Sequence, residues 1–503
     1  MRFEQAKSLT SDEFHRLAAG LKPETRMVID GELVEARSGG TFETVNPANG
    51  AVLAVVPSAE SEDVDRAVAS ARRAFKSGAW SRLEPRTRME VLYRFADLIN
   101  ENALELALLD TLDVGKPVMD MLAGDVPAAA LTFKYFAETI DKIEGVVTNT
   151  GQEAFHYILR QPLGVVGCIT PWNYPLLMAA WKAAPALAAG NSVVLKPAQQ
   201  SPLSAVLLAQ LFVKAGGPPG VFNVIQGVGT AGKALALHMD VDKISFTGST
   251  AVGKLMMVYS GESNLKRVTV ETGGKSPQII TAEVPDLDKA VDYAIAGIYA
   301  NKGEMCSAGS RILVDARIHD VFIARFTARV ASRFKLGDPL DPVTTMGPLV
   351  SRDQQKRVLS YIDIGKQEGA RLVLGGSTPK GFESGCYVEP TLFTGVGNTM
   401  RIAKEEIFGP VAAVMPFRTI DEAVAIANDS IYGLAASIWT SDITTAHKVA
   451  RDIDAGVIWI NCYDLGDMTQ PWGGFKQSGT GRDKCLETLL TVTQTKSVWV
   501  HLG

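Results

Sequence analysis

Lys243-Ile244-Ser245-Phe246-Thr247-Gly248-Ser249-Thr250-Ala251-Val252-Gly253-Lys254 reads as a short apolar strand that runs through a glycine turn into a helix. Similar strands stand upstream at 165–169, 192–195 and 221–225, separated by helical stretches. Strand–helix alternation of this kind predicts a parallel sheet with helices on both faces. A second alternating series follows Pro277 and runs to about Phe475, with strand candidates at 278–280, 312–314 and 457–460. Between Ser61 and about Ile140, apolar residues recur at helical spacing, as in Val64, Ala67, Val68, Ala71 and Phe75. Residues 27–56 hold short β pieces with turns at Asp30-Gly31 and Asn46-Pro47. Residues 1 to about 25 read as a polar arm, and 491–500 as an extended tail.

The chain has 503 residues, 46% of them apolar and 21% charged, with a net charge of −5. That suits a soluble protein of two or three domains and argues against a general nucleic-acid or anionic-membrane binder. Five cysteines are scattered at 168, 306, 386, 462 and 485, with no CxxC pair. Neither a disulfide framework nor a structural zinc site is expected, and a reducing cytoplasm fits best. The most apolar segment, 175–190, contains Lys182 and Pro185 and falls short of a membrane span.

Two glycine patterns compete for a phosphate. Gly227-Val228-Gly229-Thr230-Ala231-Gly232 is formally GxGxxG, but the next strand ends in Thr247-Gly248-Ser249 without the acid a dinucleotide fingerprint requires. Gly248–Lys254 resembles a nucleotide-hydrolysing loop, except that Leu255 replaces the magnesium-binding hydroxyl. Its helix start at Ser249 still offers free N–H groups to an anion, and a dinucleotide pyrophosphate is a good candidate. Lys196 follows the strand at 192–195, where open α/β sheets bind ligands.

Three residues have the chemistry for acyl transfer. Cys306 lies in Asn301-Lys302-Gly303-Glu304-Met305-Cys306-Ser307-Ala308-Gly309, among small neighbours that let a ligand approach. A thiolate there can attack a carbonyl carbon, although a free cysteine read alone is more often core filler. Glu271 stands between an apolar strand and a double glycine, where partial burial would raise it toward the range of a general base. Asn173, in Pro171-Trp172-Asn173-Tyr174-Pro175, is a stiffly held amide that can donate to an oxyanion or close an Asx turn. No spacing of His or carboxylates points to a metal.

Together the runs PWNYP (171–175), KPA (196–198), FTGSTAVG (246–253), ETGGKSP (271–277), CSAGSR (306–311), EEIFGP (405–410) and PWGGFKQSGTGR (471–482) resemble the aldehyde dehydrogenase superfamily, in its order and from about residue 25 onward. The resemblance implies Cys306 as nucleophile, Asn173 with the Cys306 amide as oxyanion hole, and Glu271 as the base that activates water, giving a free acid. It implies NAD or NADP as cofactor: Trp172 and Ser249 at the pyrophosphate, Lys196 at the adenosine ribose, Gly227 and Gly229 at the adenine end, Glu406 and Phe408 at the nicotinamide ribose, and Gly273 elsewhere in the cofactor site. Gln199 stands where NAD-preferring members often carry a glutamate, so NADP use is expected. The implied fold is two parallel-sheet α/β domains with a small β oligomerisation extension. The cofactor domain would span 1–140 and 160–273, the catalytic domain 274–480, and the extension 141–159 and 481–503. A homodimer or homotetramer is expected.

The run from Asn461 to Thr469, together with GGFKQSGTGRDK, is most similar to bacterial γ-glutamyl-aminobutyraldehyde and related aminoaldehyde dehydrogenases. Enzymes of indole-acetaldehyde share similar runs, so an aromatic aldehyde is the alternative substrate. Tyr174, Trp181 and Trp472 would line the substrate tunnel, which Gly466 would widen. Asp464 and Asp467 would offer negative charge at its mouth, or bond their own backbone. A catalytically silent relative and a phosphotransfer site at 248–254 are the competing functional classes. Intact Cys306, Glu271 and Asn173 oppose the first, and Leu255 the second.

Overall fold

The computed structural model describes residue 1 and residues 3–503. Two seven-stranded sheets organise the chain. In the first, five parallel strands lie in the order Arg267–Glu271, Lys243–Thr247, Val165–Ile169, Ser192–Lys196 and Phe222–Val224. The antiparallel hairpin Met27–Ile29 and Glu32–Val34 completes it, turning at Asp30-Gly31 with both residues at positive φ. Along Val165–Ile169, Val165 and Ile169 enter one apolar cluster while Val166 and Cys168 enter the opposite one. Burial on both faces explains why these strands are continuous apolar runs.

The order of these strands creates a crevice. Successive strands extend from Val165–Ile169 to one side, and the chain then crosses to the other side at Lys243–Thr247. At such a reversal the connections leave in opposite directions, and a gap opens beyond the carboxyl ends. The second sheet repeats the plan. Pro277–Ile280 is its first strand, flanked by Arg311–Asp315 on one side and Ala435–Trp439 on the other. Val411–Phe417 and Thr391–Thr394 extend it one way and Val457–Ile460 the other, all parallel, with Arg371–Leu374 antiparallel at one edge.

A third, antiparallel sheet pairs Thr493–His501 with Ala154–Pro162, which also pairs Val146–Thr148. It leaves Val147 and Trp499 exposed, at 64% and 62%. This sheet is narrower at its C-terminal side than the 481–503 segment: Cys485–Thr491 forms a helix, and Asp483 and Lys484 turn into the interior. Among the described residues no helix is long and apolar enough to cross a membrane.

The polar arm folds. Ser11–Ala19 is a helix closed by a capping box, in which the Thr10 hydroxyl accepts from the Glu13 amide and the Glu13 carboxylate accepts from the Thr10 amide. Its Phe14 is wholly buried in the large core under the first sheet. One apolar anchor on a polar helix leaves little periodicity to read, and this is why the sequence suggests an arm. Phe14→Ala removes that anchor at a local cost of about 3–5 kcal/mol. Limited proteolysis should then cut within residues 10–20 before any other site, an order that intact Phe14 prevents.

Candidate active site

The crevice of the first sheet faces the second across a cavity of about 960 Å³. Connections leaving the carboxyl ends of Val165–Ile169, Lys243–Thr247 and Arg267–Glu271 supply one wall through Trp172, Asn173, Ser249, Glu271 and Gly273. Cys306, Glu406 and Phe408 face them, and Tyr174, Trp181, Asp464 and Trp472 line the far end. Of the sequence candidates, Lys196, Gln199 and Gly229 lie outside this cavity.

The loop before Cys306 is strained and heavily anchored. Asn301, Lys302 and Gly303 all take positive φ (44°, 62° and 71°), a costly run for two non-glycine residues. The Asn301 amide donates to the Asn173 carbonyl at 2.8 Å, and Asn173 Nδ2 donates to the Glu304 carbonyl at 2.9 Å. The buried Glu304 carboxylate accepts from the Val350 amide at 3.0 Å and lies 3.1 Å from Lys302 Nζ. The loop therefore fixes Asn173 and Cys306 as one unit. Burial pushes the Cys306 thiol up to about 12; Glu406, Asp464 and Glu271 add to the push, and the Ser307 amide opposes it.

Glu271 ends the last parallel strand of the first sheet and is 4% exposed. Neither carboxyl oxygen has a hydrogen-bond partner among the described residues. Burial lifts this carboxyl well above the usual range, Asp483 lifts it further, and Lys182 and Arg482 pull it back. The segment 473–482 closes over it. Gly479 bridges Glu271, and a Cβ on Gly473 would stand 2.8 Å from Glu271 Oε1. Behind it lies the buried ion pair Lys182–Asp483 at 2.7 Å.

On the crevice side, Ser249 caps the helix Thr250–Glu262, its hydroxyl accepting from the Val252 amide at 3.4 Å. Ser249, Thr250 and Ala251 all line the cavity, so the orphan amides of this helix start open onto it. Trp172 and Phe408 meet edge to face at 5.2 Å, with Phe408 held at φ 61°. Glu406 accepts from the Gly274 amide at 3.0 Å. A Cβ on Gly273 would fall 2.1 Å from the Glu406 carboxylate, so only glycine leaves that carboxylate its place. Anion-ready amides, a flat aromatic wall and a carboxylate able to accept ribose hydroxyls form a donor set that fits a dinucleotide.

Lys196 is buried beside the first turn of the helix Gly229–Leu237, where its stem comes within 3.8 Å of a Cβ position on Gly232. Its ammonium, brought down to about 8 by burial, donates to the Pro197 carbonyl at 3.1 Å. Gln199 is exposed on the connection that follows. These residues form a separate rim at the surface end of the crevice.

At the opposite end, Trp181 meets Trp472 at 5.7 Å, and Trp472 lies 6.3 Å from Trp459. Lys116 Nζ stands 3.9 Å from the Tyr174 ring centroid while paired with Asp125 at 2.7 Å, which holds that ring in place. Asp464 is exposed on the cavity lumen, and the protein packed around it raises its carboxyl to about 6. Asp467 instead spends its carboxylate on the Thr469 amide and hydroxyl, at 2.8 and 2.5 Å. Gly466 does not simply widen the tunnel: the Gln470 carboxamide fills the space where its Cβ would stand. Trp459, Gln470 and Lys484 line the cavity although sequence reasoning passes over them. The charged end of the GTGRDK run was the available signal for Lys484.

Residues 33–498 match the model of the aldehyde dehydrogenase family. The NADP/NAD-dependent aldehyde dehydrogenase PuuC of Escherichia coli (strain K12) is 45% identical over 97% of this chain and 99% of its own. The solved structure of the P. syringae indole-3-acetaldehyde dehydrogenase AldA, in complex with NAD+ and IAA, superposes with a TM-score of 0.97 at 52% identity, covering 98% of this chain and 100% of that one. A γ-glutamyl-γ-aminobutyraldehyde dehydrogenase from Burkholderia cenocepacia J2315 gives a TM-score of 0.96 at 52% identity, with the same coverage. The chain belongs to the aldehyde dehydrogenase family.

Proposed function

We propose that this enzyme oxidises an aminoaldehyde derivative of the γ-glutamyl-aminobutyraldehyde type to its carboxylic acid, with Cys306 as nucleophile and Glu271 as base. One observation carries the reading: a half-buried thiol, a buried carboxyl without a partner and a fixed amide donor line one cavity. The Cys306 thiol gives its proton to water, Sγ bonds the carbonyl carbon, and the carbonyl π pair moves onto the oxygen, which Asn173 Nδ2 and the Cys306 amide hold by hydrogen bonds. NAD or NADP, when bound, supplies the hydride acceptor that turns the Cys306 thiohemiacetal into a thioester. Ser249 and Trp172 would hold the pyrophosphate, Gly273, Glu406 and Phe408 the nicotinamide ribose, and Lys196, Gln199 and Gly229 the adenosine end. Glu271 takes a proton from water, the resulting hydroxide attacks the thioester carbon, and the acid leaves as the Cys306–carbon bond breaks.

The tryptophan walls at Trp181, Trp459 and Trp472 favour a second reading, an aromatic or indole-acetaldehyde substrate, because an arene packs on the same faces. For assembly, a homodimer or homotetramer is supported by the exposed third sheet, whose edge strands Val146–Thr148 and Thr493–His501 have room for a partner.

Cys306→Ala should form no reduced cofactor with any aldehyde yet still bind NAD; residual turnover at 340 nm would refute the nucleophile. Glu271→Gln should give a burst of one reduced cofactor per site and then a steady rate lower by about 100-fold or more. Because the Glu271 carboxyl is held above the usual range, it is protonated at low pH and works only as pH rises. Wild-type kcat should therefore climb with pH through a limb above the ordinary carboxylate range, and the variant should lack that limb. Gln199→Glu should cut kcat/KM with NADP roughly tenfold by repelling the 2′-phosphate, with NAD use kept; unchanged NADP kinetics would count against it. Trp499→Asp should lower the mass read by light scattering, and a monomeric wild type would remove the assembly proposal.

A further inference from the structure

Lys484 is a largely buried lysine whose charge is met, among the described residues, only by carboxylates beyond ion-pair distance, Asp467 and Asp464. The side chain is 8% exposed and lines the cavity, and it makes no hydrogen bond or ion pair among the described residues. Its ammonium lies instead over two indole faces, 5.7 Å from the Trp181 centroid and 5.9 Å from that of Trp472. The neighbouring carboxylates are committed or apart. Asp483 is paired with Lys182 at 2.7 Å, Asp467 is bonded to Thr469, and Asp464 faces the same lumen beyond ion-pair distance.

The backbone holds this arrangement against its own preference. Lys484 sits at φ 63°, ψ −157°, a region occupied almost only by glycine, and Cys485 follows at φ 37°. Reciprocal hydrogen bonds between Trp472 and Asp483, at 2.9 and 2.6 Å, and a bond from the Cys485 amide to the Met468 carbonyl at 2.8 Å clamp the strained residue from both sides. The ammonium is thereby fixed in register with the tryptophan wall. An ammonium held at a cavity wall without a close ion-pair partner gains from an anion brought by the ligand.

We propose that Lys484 is the receptor for a carboxylate at the distal end of the aldehyde, with Asp464 opposite it receiving an ammonium on the same tail. This rests on Cys306 as the nucleophile of the same cavity and names the substrate class more closely. A free aminoaldehyde is disfavoured, because the indole faces that would hold its cation already hold Lys484. A γ-glutamyl tail carries carboxylate and ammonium on one carbon, and its amide can meet the Gln470 carboxamide, which also lines the cavity.

The test uses a series of ω-oxo carboxylic acids, each compared with the n-alkanal of equal carbon number. For at least one length the wild type should prefer the acid by about tenfold or more in kcat/KM, expressed in KM, as expected of a charge-assisted hydrogen bond. Lys484→Met should bring that ratio near one, and Lys484→Arg should keep most of it. The wild-type ratios stand as a readout even if a variant does not fold. Turnover of the alkanals with no preference for any acid, or a preference that survives in Lys484→Met, overturns the assignment of Lys484 alone. No turnover of either series overturns the nucleophile reading and this proposal with it.

Discussion

Backbone meets backbone where Gly274 passes the Cys306 carbonyl: a Cβ on Gly274 would stand 2.4 Å from that oxygen. The segment between the strands Arg267–Glu271 and Pro277–Ile280 is the covalent link between the two large sheets. Its double glycine lets the link lie flat on the Cys306 loop, so the distance between thiol and Glu271 is set by main chain rather than by flexible side chains. The same link is held from the other side. Thr272 donates its amide to the Ser478 carbonyl at 2.9 Å, and the Ser478 hydroxyl donates to the Gly273 carbonyl at 2.7 Å. Three chain segments distant in sequence thus converge on the carboxyl of Glu271.

Around this junction the protein buries charge in pairs: Lys116 with Asp125, Lys182 with Asp483, and Lys302 with Glu304. Such pairs give little net stability, because desolvation offsets most of their attraction; breaking one costs about 3–5 kcal/mol. Their placement gives them another use. Lys302–Glu304 anchors the nucleophile loop, Lys116–Asp125 sets Tyr174, and Lys182–Asp483 stands behind Glu271 and beside Lys484. Each pair makes one orientation of a cavity-lining element cheaper than its alternatives. The lining is therefore positioned before any ligand arrives.

Much of this was legible in the chain. Continuous apolar runs mark both the doubly buried strand Val165–Ile169 and the edge strand Val457–Ile460, so 165–169 and 457–460 coincide with them to the residue. Motifs that place polar residues after such strands were also readable, which is why Asn173, Ser249 and Glu271 fall on one wall. What resisted reading depended on contacts remote in sequence. Phe14 gives no periodicity of its own and is buried by residues remote in sequence within the large core it joins. Asp464 and Asp467 look equivalent until the turn to Thr469 takes one of them. Gly466 suggests empty space until Gln470 fills it. Lys484 looks like a solvated surface lysine because a left-handed backbone at a non-glycine residue leaves no mark on the sequence.

A silent, purely structural relative would have no reason to keep these arrangements. An unpaired buried polar group costs about 1–3 kcal/mol, and a charged one more. Glu271 has two unpartnered oxygens, Lys484 has no ion pair among the described residues, and Asn301, Lys302 and Lys484 are held on strained backbone. Other unpartnered buried polar atoms lie elsewhere, as at Gln226 and Ser437, but Glu271, Lys484 and the Asn301–Lys302 turn gather on the wall of one cavity or within a few residues of it. Two of them can be relieved by something a ligand or the reaction brings: water beside Glu271, and an anionic tail at Lys484. A cost at a cavity wall that its occupant can remove is the pattern expected of a site shaped by binding and turnover.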